Sequence, residues 1–195
     1  MMMLEIKNLT KAFGKTTVIS DFSYSFAERG LYALVGESGS GKTTLMRLIS
    51  GIDTDFSGEI NGGGKEAASL AFQEKRLFPN LSALNNVLEI SFSSYSTDDR
   101  SCVLEKFRQL GFSDSEMNLY PSELSGGMRQ RVSFLRALMR DTPILLLDEP
   151  TKELDDKNRR VINDMIKAEA QRRLVIIATH NGDDLAYLSP TLIHI

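Results

Sequence analysis

Residues 36–44 read Gly36-Glu37-Ser38-Gly39-Ser40-Gly41-Lys42-Thr43-Thr44, and this stretch decides the fold. It fits the pattern G-x-x-x-x-G-K-[ST], with Gly36, Gly41, Lys42 and Thr43 in the required places. The apolar run Leu31-Tyr32-Ala33-Leu34-Val35 before it reads as a buried strand. The run Thr44-Leu45-Met46-Arg47-Leu48-Ile49 after it reads as a helix. Strand, glycine-rich loop and helix together are the context of a phosphate site.

The residue types follow from the ligand. Successive backbone N–H groups in a glycine-rich loop form a concave nest for an anion. Gly36, Gly39 and Gly41 lack a Cβ, so the chain can take positive φ and approach phosphates closely. A helix beginning near Lys42 adds unpaired N–H groups and the positive end of its dipole. Lys42 is expected to reach the β- and γ-phosphates as a point charge. The Thr43 hydroxyl is expected to bind Mg2+.

The 195 residues are 42% hydrophobic and 25% charged, which suits a globular protein of one domain, with or without an inserted lobe. A net charge of −3 gives no global pull toward nucleic acid, so phosphate affinity has to be local. The single cysteine, Cys102, forms no internal disulfide, and no neighbouring Cys/His spacing suggests zinc. A reducing, cytoplasmic location is expected. Glu5 and Lys7 follow the opening methionines too soon for a signal segment. No apolar run approaches the roughly 18 residues a membrane span needs.

Alternation in Leu4–Lys7 and in Val18–Phe26 reads as half-buried antiparallel strands. Gly58–Asn61 and Ser69–Phe72 are further strand candidates. From Leu81 to Leu119 the spacing turns helical, through Leu84, Val87 and Leu88 and then Val103, Leu104, Phe107 and Leu110. This segment reads as a helical insertion, closed by Pro121-Ser122. Met128–Arg140 reads as a helix, Ile144–Leu147 as a central parallel strand, Asp156–Gln171 as a helix and Leu174–Ala178 as a strand. A short helix and the strand Thr191–Ile195 finish the chain.

Three further groups sit where chemistry is expected. Ile144-Leu145-Leu146-Leu147-Asp148-Glu149 places two carboxylates at the C-terminal end of a buried strand, the ligand edge of an open α/β sheet. Asp148 there can hold Mg2+, and Glu149 can polarise a water for attack on a phosphate. Leu124-Ser125-Gly126-Gly127 precedes a helix, with Ser125 as N-cap and the glycines opening backbone N–H groups to an anion. A Ser-Gly-Gly alone is usually a flexible link. Gln73 and His180 each follow a strand; alone, a Gln there is most often a surface residue and a His structural, but the strand-end position favours function for His180.

In sequence order these segments resemble the ATP-binding cassette (ABC) ATPases. GESGSGKTT, Gln73 in AFQEKRL, LSGGMRQRV, ILLLDEP, ELD at Glu153–Asp155 and His180 in ATHN cover essentially the whole chain. The resemblance implies an α/β fold: a RecA-like P-loop NTPase core with an N-terminal antiparallel β subdomain and an inserted α-helical subdomain. It implies one nucleotide-binding domain over residues 1–195, with the core at about 1–76 and 141–195 and the helical, signature-bearing part at about 77–140.

The resemblance also assigns roles. Gly36, Glu37, Ser38, Gly39, Ser40, Gly41, Lys42, Thr43 and Thr44 look like the Walker A loop that binds ATP. Phe13 in LTKAFGK occupies the place where the family stacks an aromatic on adenine; the competing reading is a core strand residue. Gln73 looks like the Q-loop residue that contacts Mg2+ and senses the γ-phosphate. Ser125, Gly126 and Gly127 look like the signature that binds the γ-phosphate held by another subunit. Asp148 is similar to the Walker B Asp, Glu149 to the catalytic Glu, Asp155 to the D-loop Asp and His180 to the switch His. Metal ligation is thus expected from Thr43, Gln73 and Asp148, and catalysis from Glu149, His180 and Gln73. The D-loop departs from the family, because Lys152 and Glu153 stand where small or neutral residues are usual. Their charges are expected to alter a partner contact or form a cross-subunit pair.

One chain carries one P-loop and one signature, so the resemblance implies a pair of cassettes, most simply a homodimer, sandwiching two nucleotides. It implies ATP and Mg2+ as cofactors and a transmembrane permease as partner, with the chain peripheral on the inner face of the membrane. FQEKRLFPNLSALNNV and LSGGMRQRV are most similar to ATPases of nitrate, sulfonate and taurine importers, which extends the partner set to a substrate-binding protein. The alternatives are an exporter ATPase, a soluble ATP-driven switch, and a weakly active subunit paired with a different cassette. No nucleic acid partner is expected.

Overall fold

The computed structural model describes residues 4–195. Two sheets and the helix after the glycine loop form its first compact unit, made of residues up to Leu70, Thr142–Asp148 and Ile166–Ile195. The antiparallel sheet has the order β2-β1-β4, with β1 at Glu5–Phe13, β2 at Thr16–Ser25 and β4 at Ser57–Asn61. The second sheet has the order β5-β6-β7-β3-β8. Its strands are β3 Gly30–Val35, β5 Ala68–Ala71, β6 Ile144–Asp148, β7 Leu174–Ala178 and β8 Thr191–His194. β6, β7, β3 and β8 run parallel. β6 and β7 are buried along their whole length, which is why both read as unbroken apolar runs rather than alternations.

β1 extends to Phe13, well past the alternation visible in Leu4–Lys7. Its pairing with β2 shifts register between Ile6 and Leu9, and Asn8 has φ 49°. Asn8 faces Asp21, itself at φ 51°, and its Nδ2 donates to the Asp21 Oδ1 at 2.8 Å. The irregularity breaks the two-residue period that a sequence reading depends on. α1, Lys42–Ile49, buries Leu45, Met46, Leu48 and Ile49 in a core shared with Ile6, Leu9, Phe26, Leu34, Leu146 and Ile176. Phe26 packs edge to face on Tyr24 and Tyr32, at 4.7 and 5.1 Å between ring centroids.

The second unit, Ala71–Asp141 and Glu149–Met165, is helical. It contains α2 (Ala83–Ser91), α3 (Thr97–Gln109), a single 3-10 turn at Glu116–Asn118, and α4 (Gly126–Leu138). α5, Asp156–Ala170, begins in this unit, and α6, Gly182–Leu188, belongs to the first. α3 starts at a capping box, in which the Ser96 hydroxyl accepts from the Asp99 N–H and the Asp99 carboxylate accepts from the Ser96 N–H. Val87, Leu88, Val103, Phe107, Leu110 and Val132 are fully buried. No helix among the described residues is long and apolar enough to cross a membrane.

Candidate active site

The glycine loop leaves β3 and enters α1 at Lys42. Gly41 has φ 106° and Gly39 φ 84°, conformations that side chains rarely tolerate. A Cβ on Gly36 would stand 2.5 Å from the Ile195 carbonyl oxygen and 2.6 Å from the Ser40 Oγ, so only glycine fits there. Residues 36–39 are exposed, and Ser40, Lys42, Thr43 and Thr44 are half-buried. The Lys42 ammonium donates to the carbonyls of Gly36 and Glu37, at 2.8 and 2.7 Å, and to the Ser40 Oγ at 3.4 Å. The loop therefore curls around a positive charge at the N-terminus of a helix, where orphan N–H groups favour an anion.

The Thr43 hydroxyl donates to the Asp148 Oδ2 at 2.6 Å. β6 ends on that carboxylate, which is only 4% exposed. The contact joins positions 105 residues apart and brings two hard oxygen donors together at the mouth of the loop. A hydroxyl and a carboxylate at this spacing suit Mg2+, which binds through few protein oxygens together with substrate phosphates. Asp148 is in register with Ala178 on β7, and Thr179 and His180 follow that strand. His180 is exposed at this sheet edge.

Phe13 closes β1 with 53% of its surface exposed, and does not lie in the core. The Lys11 ammonium sits 4.8 Å from its ring centroid. Lys11 is itself buried and pairs with Asp53 at 3.0 Å and with Asp55 at 3.3 Å. Burial disfavours the Lys11 charge, but hydrogen bonds to the two carboxylates outweigh it and raise its pKa.

The helical unit carries the other candidates. Ser125 caps α4, its Oγ accepting from the Met128 N–H at 3.2 Å. α4 begins at Gly126, two residues before the sequence suggested, because the cap lets both glycines join the first turn. Gln73 is exposed just after β5. Asp155 precedes α5, and its carboxylate accepts from the backbone N–H and the side-chain amide of Asn158, both at 2.8 Å. Those bonds hold its pKa below the usual carboxylate range. Glu149 has φ 51°, a left-handed conformation that costs a non-glycine residue about 1 kcal/mol.

Two residues of the helical unit are not singled out by the sequence. Gln130 is 2% exposed and donates to the carbonyls of Glu149 and Pro150. Its place inside LSGGMRQRV gave no sign of a contact beyond its own helix. Lys75 pairs with both oxygens of Glu153, at 2.8 and 2.9 Å, so the D-loop acid finds its partner within its own chain. Arg136 then donates to the carbonyls of Lys75 and Arg76, tying this loop to α4.

The profile of the ABC transporter family matches residues 19–152. The aliphatic sulfonates import ATP-binding protein SsuB 2 of Pseudomonas syringae pv. tomato is 36% identical over 188 residues, covering 95% of this chain and 79% of its own length. The Fe(3+) ions import ATP-binding protein FbpC of Brucella abortus is 36% identical over 201 residues, covering 96% of this chain and 56% of its own. Among solved structures, the dimeric post-hydrolysis state of the ATP-binding cassette MJ0796 bound to ADP and Pi is similar, with a TM-score of 0.85 and 27% identity. That match covers 98% of this chain and 94% of the other. The glycine loop, β6 and Ser125-Gly126-Gly127 all lie within residues 19–152, and the chain belongs to the ABC transporter family as an ATP-binding cassette ATPase.

Proposed function

We propose that this chain hydrolyses ATP as one of two cassettes that close head to tail, and that the cycle drives import through a membrane permease. The observation that carries the reading is the 2.6 Å contact between Thr43 and Asp148, which sets the phosphate loop and the Walker B carboxylate together. The import names of the curated relatives and the dimeric state of the solved cassette support the partners. The permease would hold the chain at the membrane face, and a substrate-binding protein would deliver the cargo.

In this mechanism Lys42 and the N–H groups of residues 36–44 hold the phosphates, and Phe13 stacks on the base. Thr43, Asp148 and Gln73 would ligate Mg2+, which when bound neutralises phosphate charge as a Lewis acid. Glu149 accepts a proton from water as its oxygen bonds the γ-phosphorus. The bond from that phosphorus to the bridging oxygen breaks, and ADP leaves. His180 orients the attacking group. Ser125, Gly126 and Gly127 of one copy contact the γ-phosphate bound by the other, and Asp155 lines the seam. Closure follows because the signature gains contacts only while a γ-phosphate is present.

Glu149→Gln tests the reading. The variant should bind ATP, lose most turnover and elute as a dimer in MgATP but as a monomer without it. Wild-type turnover would remove Glu149 from the role of base, and a variant that stays monomeric in MgATP would remove the paired cassettes. A multi-span membrane protein co-purifying with the chain is the expected result for the permease; its repeated absence from detergent extracts of the source membrane would favour the soluble switch.

A further inference from the structure

Glu153 is, with Lys152, one of the two residues at which the D-loop leaves the family pattern, and the mechanism above does not use it. Its backbone is left-handed, with φ 66°. That turn lays its side chain against the opening of α4. A Cβ on Gly126 would stand 2.6 Å from the Glu153 Oε2, and one on Gly127 would stand 3.2 Å from the Glu153 carbonyl. The carboxylate is held by the Lys75 ammonium through both oxygens. The hydrogen bond and charge of Lys75, with weaker help from Lys152 and Arg129, hold its pKa below the ordinary value. A negative charge therefore rests beside the glycines that the signature offers to a phosphate, at the helix end that favours an anion.

We propose that the Glu153 carboxylate is an intramolecular stand-in for the incoming phosphate. Held by Lys75, it must move aside before Gly126 and Gly127 take the γ-phosphate of a nucleotide bound by a second copy. The pair thereby sets the MgATP concentration at which two copies close. The inference rests on the paired-cassette reading.

The test measures dimer fraction against MgATP concentration by light scattering, in the Glu149→Gln background. Glu153→Gln keeps the shape and removes the charge; Glu153→Ala removes both. Each should lower the half-saturating MgATP by about threefold to tenfold, the effect of one like charge near a phosphate at the surface. The shift produced by Glu153→Gln should shrink as salt is raised, because the pair is open to solvent. If Glu153 only props the signature in place, both variants raise the half-saturating concentration, and that result overturns the proposal. An unchanged concentration overturns it equally, while the paired-cassette reading stands. A Glu149→Gln parent that never dimerises defeats both.

Discussion

Gln130 Nε2 donates to the main-chain carbonyls of Glu149 and Pro150 at 3.1 and 3.2 Å, so the signature helix grips the backbone of the proposed general base. Glu149 sits at φ 51°, and such a conformation persists only where the surroundings over-determine it. Gln130 supplies part of that constraint from a position 2% exposed. Replacing it with Met keeps the volume and removes both donors. The expected cost is about 1–3 kcal/mol of unfolding free energy, read by urea titration. Turnover should fall more than ATP affinity, because the base loses its orientation while the phosphate loop is untouched. Equal losses in kcat and in ATP affinity would assign Gln130 a general structural role.

Asp148 differs from Glu149 in what it touches. It is buried and accepts from the Thr43 hydroxyl at 2.6 Å. Asp148→Asn keeps an acceptor for Thr43 but removes the negative charge that a divalent cation needs. ATP should still bind in the absence of metal with affinity within about threefold of wild type, since Lys42 and the loop amides remain. Mg2+-dependent turnover should drop by about a hundredfold or more. Turnover near wild type at ordinary Mg2+ would rule out Asp148 as a ligand.

Lys42 does two things at once: it carries the charge and it bonds the carbonyls of Gly36 and Glu37. Lys42→Ala therefore removes a phosphate contact and loosens the loop that should form the nest. ATP affinity should fall by about a hundredfold, measured by competition with a fluorescent nucleotide. Lys42→Arg should not rescue it, because a planar fork cannot take the place of a compact ammonium inside so tight a loop. Unchanged affinity in Lys42→Ala would sink the cradle.

The fold was legible where its determinants are local. The glycine loop, the apolar run of β6 and the Ser125 cap of α4 each lie within a few residues of the chain, and the parallel sheet expected from the apolar runs is present. The rest depends on contacts between distant positions. Lys11 bonds Asp53 across 42 residues, Gln130 reaches Glu149 across 19, and Lys75 meets Glu153 across 78. Lys11, Gln130 and Lys75 look like ordinary surface in the sequence, because nothing nearby records what the fold brings to them. The far half of β1 was hidden for a local reason: its irregular pairing near Asn8 erases the alternation.

Phe13 and Lys11 offer a test of base recognition. The ring is about half exposed, so Phe13→Ala should alter stability by no more than about 0.5 kcal/mol. The KM for ATP should rise by about fivefold or more, with kcat nearly kept, because stacking on an exposed ring contributes on the order of 1 kcal/mol. Phe13→Tyr should restore it. An ATP KM indifferent to both substitutions would return the ring to the role of a surface residue.

The acid limb of stability should carry the mark of Asp155. Bonds from the Asn158 backbone and side chain depress its pKa in the folded chain. A carboxylate with a depressed folded pKa stabilises the fold above its unfolded pKa, near 3.9, and loses that contribution as pH falls through the lower, folded value. Asp155→Asn can still accept the Asn158 N–H as a helix cap but cannot titrate. The wild type should therefore be the more acid-sensitive of the two, with the gap in urea midpoint changing below about pH 4 and constant from about pH 5 to 8. A gap that stays the same down to the acid transition would show that the Asp155 charge contributes nothing to folding, and that its cap works through hydrogen-bond geometry alone.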